Sequence, residues 1–346
     1  MQRMACLIIS LLSPFVWADR VPRHFEVTPQ QIQNMIQVNQ QALPLAEPSV
    51  TPIRPFSDLE KAGYLFMSSD TEFDSAEAKK LFAKHLPADV TLVIFTSPGS
   101  NPDSIKRPYR GLIDDARLKV VEISNARSGF WARDGLPVPT WVDSQNLGLV
   151  DARYYHGFEP DQVVARWFQA PLNRIGYYFE GGNFMTNDVG DCITVDNQRS
   201  SNIPTRIFQE QYGCQKIVRL PYEKGIGHVD ESVRFIASRA VMTDSRQYKT
   251  ILEREGYQVT LLPRPNRTME TYINSLLVNG TMYVPVYSER QDQAAIQAYE
   301  NAGFRAVPVE SSVLSNDGQG SLHCITMTYP PVPFARLLES LGGREL

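Results

Sequence analysis

Along this chain, short β-rich runs and amphipathic helical stretches follow one another in a recurring order. From Thr271, TYINSLLV is followed by Asn279-Gly280 and TMYVPVY, two strands joined by the strongest short hairpin signal. SERQDQAAIQAYENAG then carries apolar positions at Ala294, Ile296 and Tyr299, with Gly303 as its stop, and FRAVPVE reads as another strand. The unit is strand, strand, helix, strand. It recurs as SVRFIAS, AVMTD, SRQYKTILEREG and YQVTLLP, and again as YFEGGNF, CITVD, PTRIFQEQYG and KIVRLP. A less regular copy comprises FWARDGLPV, LGLVDARYY, PDQVVARWFQA and a strand near Ile175. A fifth copy is split between the ends: LHCITMTY near the C-terminus joins GYLFMSS, SAEAKKLFAKHL and VTLVIFTS. Self-similarity at about 45 to 50 residues marks a propeller or other repeat architecture and predicts a single closed α/β domain over 56–346. Alternating helices and strands would also permit a doubly wound α/β sheet, but no Gly-rich dinucleotide fingerprint supports that fold.

The N-terminus reads differently. Met1 to Ala18 has the form of a secretory signal, with Arg3 as the positive region, Cys6 to Leu12 as the apolar stretch, Pro14 as its break and Val16-Trp17-Ala18 near a cleavage point. The apolar run is too short to span a bilayer. The expectation is an exported, soluble protein beginning near Asp19, without a membrane partner once the signal is removed. Residues 19–55, Gln- and Pro-rich from Val21 to Pro55, read as a poorly fixed linker holding a short helix. The formal net charge of −4, or −5 without Arg3, lacks the basic footprint that nucleic acid would require. Loss of Cys6 leaves Cys192, Cys214 and Cys324, an odd number, so in an oxidising compartment one stays free or pairs between molecules. Cys192 and Cys214 either close a loop as a disulfide or stay two separate buried thiols.

Five polar motifs sit at one end of each repeat: Trp131-Ala132-Arg133-Asp134, Glu180-Gly181-Gly182-Asn183, Gly227-His228-Val229-Asp230-Glu231, Tyr272-Ile273-Asn274 and Leu322-His323-Cys324-Ile325-Thr326. Asp134, Glu180, His228, Asn274 and Cys324 are spaced by 46, 48, 46 and 50 residues, as if each repeat delivered a polar residue to a common axis. A Cys, a His and several carboxylates in one pocket supply a nucleophile, an acid/base and a clamp for a cation. Paired Asp side chains suit the forked donors of a guanidinium, whereas a Cys protease triad needs only one orienting acid. The bland alternatives are a buried core cysteine at Cys324, a structural His323, a simple turn at Gly181-Gly182 and metal ligation by His228 and Asp230, for which no further ligands at tight spacing are found.

The ordered set ARD, EGGN, GHVD, TYIN and LHCIT closely resembles the agmatine deiminase and bacterial peptidyl-arginine deiminase family, guanidino-group-modifying enzymes of the five-fold α/β propeller (pentein) fold. The resemblance spans about Trp131 to Pro330. It implies hydrolysis of a guanidinium to a ureido group with release of ammonia, without metal or organic cofactor. By position it implies Cys324 as nucleophile, His228 as acid and then base, Asp134 and Asp230 as the guanidinium clamp, Glu180 as the group orienting His228, and Asn274 as a polar substrate contact. Export, together with GHVDE in place of the GHxDN usual in agmatine deiminases, favours arginine within a peptide or protein over agmatine as substrate. Glu231 is then either a substrate contact or a solvated rim charge. ARDGLPVP also departs from the family's common RDTGP. An amidinotransferase sharing the covalent intermediate and an inactive arginine-binding protein are the remaining readings.

Overall fold

The computed structural model describes residues 20–42 and 48–332; the expected signal, residues 1–18, lies outside them. Five small sheets surround an axis, each built on the repeat read from the sequence. In every sheet a short inner strand pairs antiparallel with a middle strand, which pairs parallel with an outer strand across a helical connection. A parallel pair requires such a crossover, so the helix in each repeat follows from its strand directions.

The first blade contains Val138–Trp141, Leu147–Arg153, helix Asp161–Phe168 and Leu172–Tyr178. The second contains Met185–Thr186, Asp191–Asp196, helix Thr205–Tyr212 and Lys216–Pro221. Val233–Ala237, Ala240–Thr243, helix Arg246–Arg254 and Gln258–Leu261 make the third. The fourth has Leu276–Val278, Thr281–Val286, helix Asp292–Asn301 and Arg305–Glu310. Its first two strands meet at Asn279-Gly280, both at positive φ (44° and 82°), as an Asn-Gly hairpin demands. The fifth is the predicted split blade: Thr326–Tyr329 pairs with Tyr64–Ser68, followed by helix Ser75–His85 and Thr91–Thr96. Joining the two ends of the chain in one sheet closes the ring.

Strands of the fifth blade carry apolar runs, residues 65–67 and 92–95, because both faces are covered, by neighbouring blades and by helices. The chain departs from the sequence reading in three places. Leu118–Glu122 adds an unforeseen outer strand to the fifth sheet, parallel to Thr91–Thr96. YFEGGNF, FWARDGLPV and TYINSLLV do not run as continuous strands: Gly181–Asn183 and Ala132–Gly135 are helical turns, Tyr272, Ile273 and Asn274 are bends, and the inner strands begin only after the motifs.

The third departure concerns the expected linker. Its helix is present at Pro29–Gln41, started by a capping box between Thr28 and Gln31. It is pinned, however, by Asn39, whose Nδ2 donates to the carbonyls of Tyr178 (3.0 Å) and Arg199 (2.6 Å) and whose Oδ1 accepts from the Tyr178 N–H (2.7 Å). Further on, Arg54–Pro55 pairs with Val138–Trp141 as an edge strand of the first blade.

Cys192, on the middle strand of the second blade, is disulfide-bonded to Cys214, which follows its helix; Cys324 is free and buried. The bridge closes a crossover with a sequence separation of 22 residues. A loop of that size restricts the unfolded chain by about 3 kcal/mol. Replacing both cysteines by serine should lower the denaturant-derived unfolding free energy by about that amount while the circular dichroism of the folded state is kept.

Candidate active site

The five motif loops converge on the axis and hydrogen-bond to one another in sequence around it. The Gly182 N–H donates to Asp134 Oδ1 (2.9 Å), joining the first and second loops. The Val229 N–H donates to Asn183 Oδ1 (3.2 Å), joining the second and third. Asn274 Nδ2 donates to the Asp230 carbonyl (3.3 Å) and Thr271 Oγ1 to that of Glu231 (3.0 Å), joining the third and fourth. The His323 N–H donates to Asn274 Oδ1 (3.0 Å), joining the fourth and fifth. The Arg133 N–H donates to the Cys324 carbonyl (3.0 Å) and completes the circle.

Inside the circle, Gly182 fixes where the side chains meet. A Cβ built there would stand 2.8 Å from Asp134 Oδ1, 2.8 Å from His228 Nδ1 and 3.2 Å from Asp230 Oδ2. Asp230 Oδ2 in turn lies 3.6 Å from Cys324 Sγ. Asp134, Glu180, His228, Asp230, Asn274 and Cys324 are all buried.

His228 is flanked by Asp134 (Nδ1 to Oδ1, 3.7 Å) and Glu180 (Nε2 to Oε2, 3.7 Å). Burial opposes its charge, but Asp134, Glu180 and Asp230 outweigh that penalty and raise its pKa to about 9, so it is an imidazolium at neutral pH. Burial pushes the Glu180 carboxyl up, yet Arg199 and His228 hold it at about 2. Asp230 is likewise held at about 2 against its burial, chiefly by His323. The Cys324 thiol is raised well above its ordinary value by burial and by the charges of Asp230 and Asp134.

Asn274 and Glu231, both expected to touch substrate, make contacts within the protein. Asn274 lies against Cys324: its Nδ2 is 3.1 Å from the Sγ, in an orientation fixed by Oδ1 accepting the His323 N–H. Glu231 is not a solvated rim charge. It is buried, and Oε2 accepts the backbone N–H of Ile226 (3.2 Å) and His228 (3.4 Å), so it shapes the loop that carries His228. His323 bridges Asp230 (Nδ1 to Oδ2, 2.7 Å) and Asp58 (Nε2 to Oδ2, 3.0 Å), and Asp58 also accepts from Arg234 Nη1 (2.9 Å) and Thr328 Oγ1 (2.7 Å).

Three members of the site were invisible in the motifs. Arg199 donates Nε to Glu180 Oε1 (2.8 Å), and its Nη2 lies 3.4 Å from His228 Nε2. It comes from the polar turn DNQRSS, where Asn197 Oδ1 accepts the Arg199 N–H (2.9 Å) and Asn197 Nδ2 reaches the Gly227 carbonyl (3.0 Å). Asp58 and His24 come from the expected linker and its junction; His24 Nε2 hydrogen-bonds Asp134 Oδ2. Nothing in their spacing marked them. His24, Asp134 and His228 form one group whose ligand atoms could hold a metal ion, and Asp151, Glu159 and Asp161, on the first blade, form another; Asp230 belongs to neither.

A buried free cysteine, an imidazolium and paired carboxylates inside a five-bladed α/β ring define a guanidino-group hydrolase of the pentein fold. The model of the Porphyromonas-type peptidyl-arginine deiminases matches residues 82–330, and the chain belongs to that family. It is 26% identical over 332 residues to a provisionally named agmatine deiminase of Vibrio parahaemolyticus, covering 74% of this chain and 89% of that one. With the agmatine deiminase of Stutzerimonas stutzeri it shares 24% identity, over 66% and 80% of the two chains. The C. jejuni agmatine deiminase structure superposes with a TM-score of 0.66 at 18% identity, covering 81% of this chain and 96% of the other.

Two outcomes follow from the geometry. Gly182→Ala should lower guanidine turnover roughly 100-fold or more with the melting temperature little changed, because its methyl displaces Asp134 and His228 by tenths of an ångström. The raised pKa of His228 stabilises the fold fully below pH 6.5, and that contribution is lost as pH rises through about 9. The melting temperature should therefore fall across this window, and His228→Gln should be less stable at neutral pH and show a smaller fall.

Proposed function

We propose that this protein hydrolyses a guanidinium to a ureido group and ammonia through a covalent adduct on Cys324. The observation that carries the reading is the free cysteine Cys324 beside Asp230 in the buried cluster that also holds Asp134 and the His228 imidazolium. A guanidinium entering there brings the positive charge that Asp134 and Asp230 can accept bidentately. The same charge reverses the field that keeps Cys324 a thiol, so the substrate's arrival activates the nucleophile, which releases its proton to water. Asn274 Nδ2 supplies a hydrogen bond to the sulfur as it ionises.

The thiolate then forms a bond to the guanidinium carbon. His228 gives its proton to the departing nitrogen, the C–N bond breaks, and ammonia leaves a thiouronium. Now neutral, His228 takes a proton from water, whose oxygen bonds to the same carbon. Breaking the C–S bond releases the ureido product, and the hydroxyl proton of the adduct passes to the departing sulfur and restores the thiol. Glu180, fixed by Arg199, keeps the imidazole oriented throughout.

Agmatine is the first substrate reading. It is supported by the names of the curated relatives and by the enclosure of the site, and it takes precedence over the peptidyl arginine favoured by the sequence. Arginine in a peptide is the second reading, favoured by Gly318 and Tyr155, which hydrogen-bond the main chain of His24 where it lies over the cluster. Export is part of the proposal, supported by the signal-like residues 1–18 and by a disulfide, which persists in oxidising compartments.

Assaying ureido product from agmatine, free arginine and an arginine peptide tests the reading. At least one guanidine should be consumed, and Cys324→Ala should lose roughly 10,000-fold or more in kcat/KM. A fully active variant, or no guanidine consumed, would sink the mechanism. Turnover of the peptide alone would reverse the substrate order, and transfer of an amidino group to added glycine would make the enzyme a transferase.

A further inference from the structure

Residues 20–28 lie over the catalytic cluster. The Glu26 N–H donates to the Arg23 carbonyl (3.3 Å), closing a turn that carries His24 at its second position. The His24 side chain is fully buried, stacked on Trp131 with ring centroids 4.4 Å apart and set edge-on to His228 at 5.2 Å. Its Nε2 takes Asp134 Oδ2, the oxygen left after Gly182 has claimed Oδ1. Phe25 covers the Arg199 guanidinium at 4.5 Å. Outside this turn lies a cavity of about 650 Å³ lined by Arg20, Pro22, Phe25, Tyr155, His156 and Gln319.

The turn is held through its main chain. The His24 N–H donates to the Gly318 carbonyl (2.8 Å), and the His24 carbonyl accepts from Tyr155 Oη (2.6 Å) and lies 3.2 Å from His156 Nε2. The Pro22 carbonyl accepts from Trp131 Nε1 (3.0 Å). Gly320 keeps the seat open: a Cβ there would stand 2.4 Å from the Trp131 ring and 2.7 Å from His24 Nδ1. These partners recognise atoms that every polypeptide carries, while the carboxylate behind them selects a nitrogen-bearing side chain.

We infer that residues 22–25 are an internal pseudosubstrate, a turn seated in a polypeptide-binding subsite formed by Trp131, Tyr155, His156 and Gly318, with the His24 imidazole on the clamp oxygen that a guanidinium needs. The inference rests on the deiminase reading of the cluster beneath and assigns the entrance a ligand class, a main-chain turn presenting a nitrogen-bearing side chain. Because the turn is tethered, it competes at an effective concentration in the millimolar range, so an incoming substrate must displace it.

The test compares the full chain, its His24→Ala variant and a chain starting at Thr28. Two quantities are read: alkylation of Cys324 by 2-chloroacetamidine, whose amidinium brings the charge that ionises the thiol, followed by peptide mass spectrometry, and turnover of agmatine and an arginine peptide. Alkylation and turnover should each rise roughly tenfold or more in both variants. A synthetic peptide of residues 20–28 should restore protection to the shortened chain, and the same peptide with His24→Ala should not. Unchanged or slower alkylation in a shortened chain that melts normally overturns the inference, as does failure of the peptide to protect. If the shortened chain does not fold, alkylation of the full-length His24→Ala variant decides. Faster alkylation with no guanidine consumed would leave the pseudosubstrate standing and sink the deiminase reading; turnover with alkylation insensitive to the turn would do the reverse.

Discussion

The hydrogen bonds that pass from each motif loop to the next, and close where the Arg133 N–H meets the Cys324 carbonyl, are the constraint on which the site depends. Each loop contributes one or two chemical groups, and no blade holds a reaction centre by itself. Positions accurate to a fraction of an ångström therefore require the blades to be fixed relative to one another at the axis, where the inner strands are only two to five residues long. Side-chain amides at Asn183 and Asn274 and the carboxylate of Asp134 serve as the joints. The fifth blade carries the largest share of this task, since it is made from both ends of the chain and delivers Cys324 only when Thr326–Tyr329 has paired with Tyr64–Ser68.

Within that frame, buried charges are kept in pairs. Removing a carboxylate from water costs several kcal/mol unless a partner and hydrogen bonds compensate. Arg199 answers Glu180, while Asp58 gathers Arg234 and His323 and thereby extends a chain of contacts to Asp230. These outer partners touch no reacting atom in the proposed mechanism. They let the inner carboxylates stay ionised without solvent, which is what makes those carboxylates strong enough to raise His228 to about 9.

The same logic explains what could be read from the sequence and what could not. The repeat was legible because alternation and amphipathicity are local properties of strands and helices that must bury one face, and because Asn279-Gly280 has a single efficient use. The five motifs were legible because polar residues recur there at the repeat length. Arg199, Asp58 and His24 obey no such period: each is a partner recruited through space to a charge placed by another segment. Burial was equally hidden at Glu231, which by type suits a rim or a ligand contact and in the fold caps its own loop. Residues 19–55 looked like a linker because Gln and Pro carry no core pattern, yet Asn39, Arg54 and His24 tie the segment down through specific polar contacts, which hydrophobic periodicity does not report.

The charge balance also accounts for why the nucleophile is not standing ready. Arg133, Arg199, Arg234 and the His228 imidazolium face Asp58, Asp134, Glu180 and Asp230, so an added thiolate would be an unmatched negative charge beside Asp230, and the thiol stays protonated. A guanidinium and a thiolate restore the balance only when they appear together. Nucleophile and substrate are then coupled by electrostatics, not merely by contact: a neutral molecule of the same shape could fill the space without ionising the sulfur. His24 bears on this coupling directly. Hydrogen-bonded to Asp134 on the side where the substrate cation would arrive, it blunts the carboxylate's pull on a guanidinium and leaves Cys324 in its unreactive form, so the contact that closes the entrance also withholds the charge that would switch the thiol on.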